Sequence, residues 1–306
     1  MRITVLHGGP SQEREVSLVS GRAVAEGLKH AGHEVFLADI TPGELSALDK
    51  PCDVVFPALH GEFGESGELQ AILEKRGMDF VGSGSHASSI AIDKLSTKEV
   101  WVSHGIPTPA WRTVRKTDLQ DATSNKSPNA SFNAGFDQPA VVKALGSGSS
   151  IDVFVCKDAK DVRACVEKVV TGHGKALVEQ LIVGTEITVG VLFDRVLSPI
   201  KIEPKNEFFD FESKYTAGGA KHNFDTGLPE HLIQQIQQTV LRAHRCLGCR
   251  HLSRVDVMID PANNFYLLEI NTMPGFTPVS LLPEMAQKEG IGFSELVDQL
   301  VRAARS

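Results

Sequence analysis

Residues 1–93 alternate short apolar runs with stretches of helical periodicity, and this alternation limits the folds open to the chain. The apolar runs are Ile3 to Leu6, Val35 to Ala38 and Val54 to Leu59. Strands that alternate with helices form a parallel sheet covered by helices on both faces, so we predict a doubly wound α/β unit. Open sheets of this kind bind ligands at the carboxyl ends of their strands, where the loops HGGPSQEREVS and HGEFGESGELQ lie.

The chain of 306 residues is long enough for further units of roughly 100 to 150 residues. Residues 94–183 read as a central α+β lobe, with a strand AVVKAL, a glycine-serine turn, a helix from Asp161 to Thr171 and a strand ending at Glu179. Residues 184–306 contain the strands EITVGVL, SRVDVMID and FYLLEIN, a helix from Glu230 to Leu247 and a closing amphipathic helix. We therefore predict three domains, two of them α+β lobes.

Composition argues against several classes of function. The net charge is −7 and no basic cluster is present, so nucleic acid is not an expected partner. No apolar run approaches the ~20 residues of a membrane helix, and the start of the chain does not resemble a signal peptide. We expect a soluble cytoplasmic protein that does not bind membranes.

The sequence HRCLGCRH, from His244 to His251, offers ligands for zinc, but its surroundings have helical spacing and Gly248 stands where a helix cap belongs. A helix end is the preferred interpretation. The five cysteines are sparse and odd in number, so we expect reduced thiols.

Oxygen ligands cluster on the last two predicted strands. Side chains two apart share a face of a strand, so Glu269 projects with Asn271 and Arg254 with Asp256. Hard oxygen ligands of this kind favour magnesium bound together with phosphates, although a solvated hairpin face would show the same pattern. The loop that follows contains Gly275, whose N–H could meet an oxyanion, and a candidate carboxylate pocket at Ser280 and Leu281.

Two other segments suggest a nucleotide site. Lys143 ends a strand before a glycine-serine loop that could cradle phosphates, although it is not a Walker motif and a plain turn remains an alternative. Glu179 and Glu186 flank a connection between lobes, where they could hold adenine and ribose or simply aid solubility. Lys94 and Lys98 have helical spacing and, taken alone, read as solvated surface lysines.

Taken together these motifs resemble the D-alanine:D-alanine ligases of the ATP-grasp superfamily. The motifs HGGPSQEREVSLVSG, HGEFGESGELQ, SRVDVMID, LLEINTMPGFT and SLLP occur in the family's order and spacing, and the likeness covers nearly the whole chain. The resemblance implies an N-terminal α/β domain followed by a two-lobed ATP-grasp region. It also implies ATP-dependent joining of two D-alanines through a D-alanyl phosphate for peptidoglycan synthesis, and a homodimer.

The resemblance also implies roles for individual residues. Glu15 would hold the ammonium of the first D-alanine near His60, and Arg254 with Gly275 would form the oxyanion site. Ser280 and Leu281 would seat the second carboxylate. ATP would be held by Lys94, Lys143, Glu179, Gln180, Ile182 and Glu186, and two magnesium or manganese ions by Asp256, Glu269 and Asn271. Lys214 and Tyr215 match the family's closing lid, and Tyr215 would connect through Ser149 to Glu15.

Some positions depart from the family pattern. Ala144 stands where the family usually has proline, and Asp152 where it usually has glycine, so ATP is expected to bind weakly. Asp225, Thr226 and Gly227 replace a typical Pro-Ala in the lid. The alternative functions are a D-alanine:D-lactate ligase and a nucleotide-binding protein without catalysis.

Overall fold

The computed structural model describes residues 1–119, 139–146, 152–204 and 220–305. Within these ranges the strands are β1 (Arg2–His7), β2 (Glu34–Asp39), β3 (Val54–Pro57), β4 (Trp111–Arg115), β5 (Ala140–Lys143), β6 (Val153–Cys156), β7 (Lys175–Gln180), β8 (Thr185–Leu192), β9 (Arg195–Val196), β10 (Ile200–Pro204), β11 (Ala220–Asn223), β12 (Leu252–Ile259) and β13 (Phe265–Asn271). The helices are α1 (Arg14–His30), α2 (Glu62–Glu65), α3 (Glu68–Lys75), α4 (Ser85–Ile92), α5 (Lys94–Ser103), α6 (Ala159–His173), α7 (Glu230–Cys246), α8 (Leu281–Lys288) and α9 (Phe293–Ala303).

The N-terminal sheet is parallel, in the order β2-β1-β3. Alternate side chains enter two different cores: Ile3 and Val5 pack with α1, whereas Leu6 packs with Leu69 and Leu73 of α3. The sheet is therefore covered by helices on both faces, and the predicted doubly wound α/β unit is confirmed.

Helices α8 and α9 complete the core of this N-terminal sheet. Leu296, Val297 and Leu300 of α9 are fully buried in the cluster that contains Ile3 and Val24. Two polar contacts also join the C-terminal residues to the N-terminal unit: His33 Nε2 lies 2.7 Å from Asp298 Oδ1, and Arg305 lies 3.3 Å from Asp53. The first and last helices of the described chain thus belong to one packed layer.

The central sheet is antiparallel, in the order β4-β7-β5-β6. Helix α6 covers one face and buries valines such as Val162, Val166 and Val170 against the strands. The helix begins after Asp158, whose side chain accepts a hydrogen bond from Asp161 N, and ends at Gly174 with φ +74°. The helix predicted from Asp161 to Thr171 is confirmed within these bounds.

The third sheet has the order β11-β10-β8-β12-β13, with β9 paired to β8, and all of its pairings are antiparallel. Helices α5 and α7 pack on one face through Trp101, Ile236 and Val240. Strand β12 lies between β8 and β13, so its polar residues are held on an interior strand of the sheet. Among the helices in the described ranges, none combines the length and apolarity needed to cross a membrane.

Candidate active site

Strands β12 and β13 bring four of the predicted site residues onto adjoining positions. Asp256 pairs with Glu269 and Arg254 with Asn271, and a bulge follows Asp256. Arg254 donates from Nε to Asp256 Oδ1 and from Nη2 to Oδ2, both at 3.1 Å, and Thr188 Oγ1 donates to Asp256 Oδ1 at 2.6 Å. The alternation of side chains along the strands predicted this shared face correctly.

Lys94 reaches this face from the start of α5. Its Nζ lies 3.6 Å from Glu269 Oε2, and its side chain is almost completely buried. The preceding Asp93 caps the helix by accepting a hydrogen bond from Ser96 N, and Lys94 N donates to Leu145 O at 3.1 Å. These contacts position Lys94 between the third sheet and the end of β5.

A buried cluster of opposite charges lies on the central sheet. Glu179 Oε1 lies 2.9 Å from Lys98 Nζ, and Glu179 Oε2 lies 2.6 Å from Lys143 Nζ. Burial would raise the pKa of Glu179, but the Lys143 and Lys98 ammonium groups outweigh it and lower the pKa overall. The interpretation of Lys94 and Lys98 as surface lysines is wrong, because helical spacing does not reveal which face of a short helix a neighbouring sheet covers.

The other residues predicted to hold ATP line the connection from β7 to β8. Gln180 ends β7 and is exposed, Ile182 is buried, and Glu186 on β8 pairs with Met258 on β12. Gln180 N donates to Ala110 O at 2.9 Å. This connection runs from the buried charge cluster to the strand next to Asp256, so the predicted nucleotide residues follow one path between the two sheets.

His60 connects the N-terminal unit to the loop after β13. Its Nε2 lies 3.3 Å from Ser20 Oγ, which in turn accepts a hydrogen bond from Phe276 N at 3.2 Å. On the other side of the ring, Nδ1 lies 3.4 Å from Glu65 Oε1. Burial raises the pKa of Glu65, the neighbouring His60 opposes this, and the Glu13 carboxylate adds to it.

Gly275 and Ser280 adjoin this network. A Cβ on Gly275 would lie 2.8 Å from Ser280 Oγ and 3.9 Å from His60 Nε2, so only glycine allows so close an approach. Ser280 Oγ also accepts a hydrogen bond from Thr277 N at 2.9 Å, and α8 begins at Leu281. Of the predicted oxyanion and carboxylate groups, Gly275 and Ser280 therefore lie close to His60.

Glu15 is exposed in the first turn of α1, whereas Glu13 is only 6% exposed. Glu13 Oε2 would lie 3.5 Å from a Cβ on Gly61, next to His60. Both glutamates stand in the motif SQEREVS, so the motif alone could not separate them. The role predicted for Glu15 stays a prediction, and the burial of Glu13 adds a second candidate. Sequence reasoning missed Glu13, Glu65 and Ser20.

Three predicted site residues, Ser149, Lys214 and Tyr215, lie outside the described residues. Asp152, just after the predicted glycine-serine loop, has φ +54°, which explains why glycine is favoured at this position. Its carboxylate lies 2.8 Å from His173 Nε2 at the end of α6, so a side-chain contact accompanies the unfavourable backbone conformation.

The HRCLGCRH segment ends α7 at Cys246, and Gly248 follows with φ +73°. The predicted helix end is confirmed. His244 Nδ1 lies 2.8 Å from Ser253 Oγ, and His251 Nδ1 accepts a hydrogen bond from Gly82 N at 3.0 Å. Burial lowers the pKa of each of these histidines to about 4.

Comparisons with known proteins agree with this architecture. The family model described as D-ala D-ala ligase C-terminus matches residues 100–302, and the model described as D-ala D-ala ligase N-terminus matches residues 42–83. A D-alanine–D-alanine ligase of Gloeobacter violaceus is 41% identical over 303 residues, covering 98% of each chain. That of Geobacter sulfurreducens is 41% identical over 305 residues, covering 99% of this chain and 94% of the relative.

Solved structures match over nearly the whole chain as well. A D-alanine–D-alanine ligase from Bacillus anthracis has a TM-score of 0.86 at 31% identity, covering 99% of this chain and 97% of that one. The VanG D-Ala:D-Ser ligase from Enterococcus faecalis has a TM-score of 0.84 at 26% identity, covering 99% of both chains.

The fold and the site together define an ATP-grasp enzyme, as predicted. Within that class, the chain belongs to the D-alanine–D-alanine ligase family.

Proposed function

We propose that the chain joins two D-alanine molecules at the expense of ATP, which yields ADP, phosphate and the dipeptide used in cell-wall synthesis. The observation that carries this proposal is the shared face of Arg254, Asp256, Glu269 and Asn271, with Lys94 beside it. Members of the family at about 40% identity carry the same activity in their names, which supports the assignment.

The donor set fits magnesium, with manganese as a substitute. The Asp256 and Glu269 carboxylates and the Asn271 amide oxygen are hard ligands on paired positions of neighbouring strands. Two bound ions would neutralise charge on the transferred phosphoryl group. Asn271 Oδ1 accepts a hydrogen bond from Met273 N at 2.9 Å, which holds this amide oxygen in a fixed orientation.

The chain's own cations would bind the phosphates. Lys94 begins α5 beside Glu269 of the third sheet, and Lys143 ends β5 of the central sheet. Both are only slightly exposed, so each presents a compact charge to a ligand between the sheets. Gln180, Ile182 and Glu186 follow the connection between those sheets. We assign adenine to the backbone of this connection and ribose to Glu186, with Glu179 as the inner wall.

Substrate carboxylates and ammonium groups would find separate partners. The N-terminus of α8 presents backbone N–H groups from Leu281 onward, next to the Ser280 hydroxyl, and so favours a carboxylate. Glu13 or Glu15 would hold the first ammonium near His60. From the resemblance we also propose that Lys214 and Tyr215 belong to a closing lid, and that Tyr215 connects through Ser149 to Glu15.

The chemistry proceeds in two steps. The carboxylate of the first D-alanine attacks the terminal phosphorus of ATP, ADP leaves, and a D-alanyl phosphate forms. The amine of the second D-alanine, having lost a proton, attacks the acyl carbon and displaces phosphate. Arg254 and the Gly275 N–H stabilise the oxyanion of this second step, and exclusion of water protects the acyl phosphate from hydrolysis.

Incubation of the protein with ATP, magnesium and D-alanine tests the proposal directly. We expect equal amounts of phosphate and dipeptide, the dipeptide being identified by mass spectrometry, and no phosphate release without D-alanine. Nucleotide binding without any product would instead favour a nucleotide-binding protein that lacks catalysis.

A competition assay tests the identity of the second substrate, because the VanG relative is a D-Ala:D-Ser ligase. With D-alanine, D-lactate and D-serine at equal concentrations near pH ~7.5, just above the histidine range, we expect the D-alanine dipeptide to dominate. Comparable amounts of the ester with D-lactate, or of the D-serine product, would overturn the substrate assignment and leave the ATP-dependent mechanism standing.

A homodimer and a cytoplasmic location stay predictions of the family resemblance. Sedimentation equilibrium at micromolar concentration tests the first, since a dimer has twice the 33.1 kDa mass of the chain. Fractionation of cells that express the protein tests the second.

A further inference from the structure

Lys98 is a buried lysine for which the proposed mechanism has no role. Its side chain is 0% exposed, on the face of α5 that packs against the central sheet. A lysine without access to water is costly to keep charged, because burial favours the neutral amine. Lys98 must therefore be compensated by its surroundings.

Protein oxygens surround the Lys98 ammonium. Its Nζ donates to Thr108 Oγ1 at 2.5 Å and to Pro109 O at 3.2 Å, and it lies 2.9 Å from Glu179 Oε1. Two of the three ammonium protons therefore have hydrogen-bond acceptors, and the Glu179 carboxylate faces the ammonium as an ion pair without a hydrogen bond to Oε1. Lys98 also lies 5.3 Å from the centre of the Trp111 ring, an arrangement that favours the charged form.

Glu179 divides its two oxygens between two lysines. While Oε1 faces Lys98, Oε2 lies 2.6 Å from Lys143 Nζ at the end of β5. The cluster thus carries two positive charges and one negative charge, and one positive charge remains in excess. Lys143 is 7% exposed, whereas Lys98 is completely buried, so only Lys143 presents its charge to a ligand.

We propose that Lys98 is a positioning residue of the nucleotide site: it neutralises Glu179 from inside the protein and leaves the charge of Lys143 available to nucleotide phosphates. The proposal rests on the function proposed above. Without Lys98, Lys143 becomes the sole counter-ion of a buried carboxylate, and the net charge of the cluster falls from +1 to 0. Phosphates would then be attracted less strongly.

A residue that only stabilised the fold would behave differently from a positioning residue. Its loss would reduce the amount of active protein, and with it the apparent kcat, but the surviving molecules would bind nucleotide normally. Loss of a positioning residue raises the dissociation constant for nucleotide, and kcat at saturating ATP changes less.

The test is calorimetric titration of folded protein with ADP and magnesium. Lys98→Met keeps a side chain of similar length and removes its charge. We expect it to raise the dissociation constant for ADP by about 10-fold or more. The control is Lys160→Met, which removes an exposed lysine of the same lobe and leaves the constant unchanged. An unchanged constant in folded Lys98→Met would overturn the proposal.

A second variant covers the case in which Lys98→Met does not fold. Thr108→Val removes one acceptor of the ammonium at a half-buried position, and we expect the dissociation constant to rise by about 3-fold. A constant equal to that of the unmodified protein would again contradict the role of Lys98. If the unmodified protein does not bind nucleotide at all, the function proposed above fails instead.

The pH dependence of ADP binding gives an independent test of the role of Lys98. Burial, opposed by Glu179 and assisted by Lys143, lowers the pKa of Lys98 to about 8, and these two are the charged groups that face it. Above this pH Lys98 loses its proton, so the difference in ADP affinity between the unmodified protein and Lys98→Met should shrink between pH 7 and pH 9. A difference that stays constant over this range would contradict an electrostatic role.

Discussion

Arg254 binds both carboxylate oxygens of Asp256, its neighbour two residues along β12. Thr188 on β8 also donates a hydrogen bond to Asp256, so residues of both β8 and β12 fix the orientation of this carboxylate. A guanidinium and a carboxylate held side by side suit a site in which phosphate charge and cations must coexist.

Glu269→Gln should reduce turnover by at least ~100-fold at saturating ATP and D-alanine, because it removes one charge from the proposed cation site. Phosphate release measures the loss, and circular dichroism checks the fold. Glu99→Gln, at an exposed position of α5, serves as the control and should keep normal activity. Near-normal turnover of Glu269→Gln at ordinary magnesium would remove Glu269 from the site.

Glu13→Gln and Glu15→Gln separate the two candidates for the ammonium site. Glu13 is buried next to Glu65 and His60, so loss of its charge should raise the KM for D-alanine by about 10-fold or more. Glu15 is exposed, and its loss should change the KM by less than about 2-fold. The opposite order would return the ammonium site to Glu15, the residue first predicted for it.

Gly184→Ala should destabilise the protein by at least about 2 kcal/mol, because a Cβ there would lie 1.8 Å from Ile259 O. Gly172→Ala is the matched control: a Cβ there meets nothing within 4 Å, and the residue lies inside α6. This second change should stabilise the protein by about 0.5–1 kcal/mol. Urea unfolding measures both, and equal effects would contradict the close approach of β12 to Gly184.

His244 should make the protein less stable in acid. Burial lowers its pKa from 6.5 to about 4, so between these values the unfolded chain binds a proton that the folded chain does not. The contribution of neutral His244 to the free energy of unfolding is present above pH 6.5 and is lost as the pH falls toward 4. Between pH 7 and pH 5 the loss is roughly 2 kcal/mol.

Urea unfolding of His244→Gln at the two pH values measures this contribution, because the variant should lose less stability between them than the unmodified protein. His86→Gln, at an exposed position, should retain the full dependence. An identical dependence in all three proteins would show that His244 is not the responsible group.

The sequence predicted helices and strands well where the spacing of apolar and polar residues determines them. Alternation along β12 and β13 placed Asp256 with Glu269, and the helix from Glu230 was predicted to within one residue of its end. Periodicity does not reveal what packs on a surface. Lys98 could not be recognised as buried, because its charged neighbours lie on β5 and β7, 40 or more positions further along the chain.

The same limit applies to charged neighbours in one motif. Glu13 and Glu15 differ by two positions, and only the entry geometry of α1 decides which of them turns inward. Glu65 is five residues from His60, yet their contact requires the turn that precedes α2. These residues were missed because their roles depend on tertiary structure.

The packing of α9 against α1 has a consequence for the order of events during synthesis. Val24 and Leu28 leave the ribosome early, but the cluster that buries them also contains Val297 and Leu300. The N-terminal sheet therefore keeps an apolar face open to solvent until translation reaches α9, and closure of that face is a long-range contact that forms slowly. Nascent chains halted before α9 should accordingly recruit chaperones that bind exposed apolar surface.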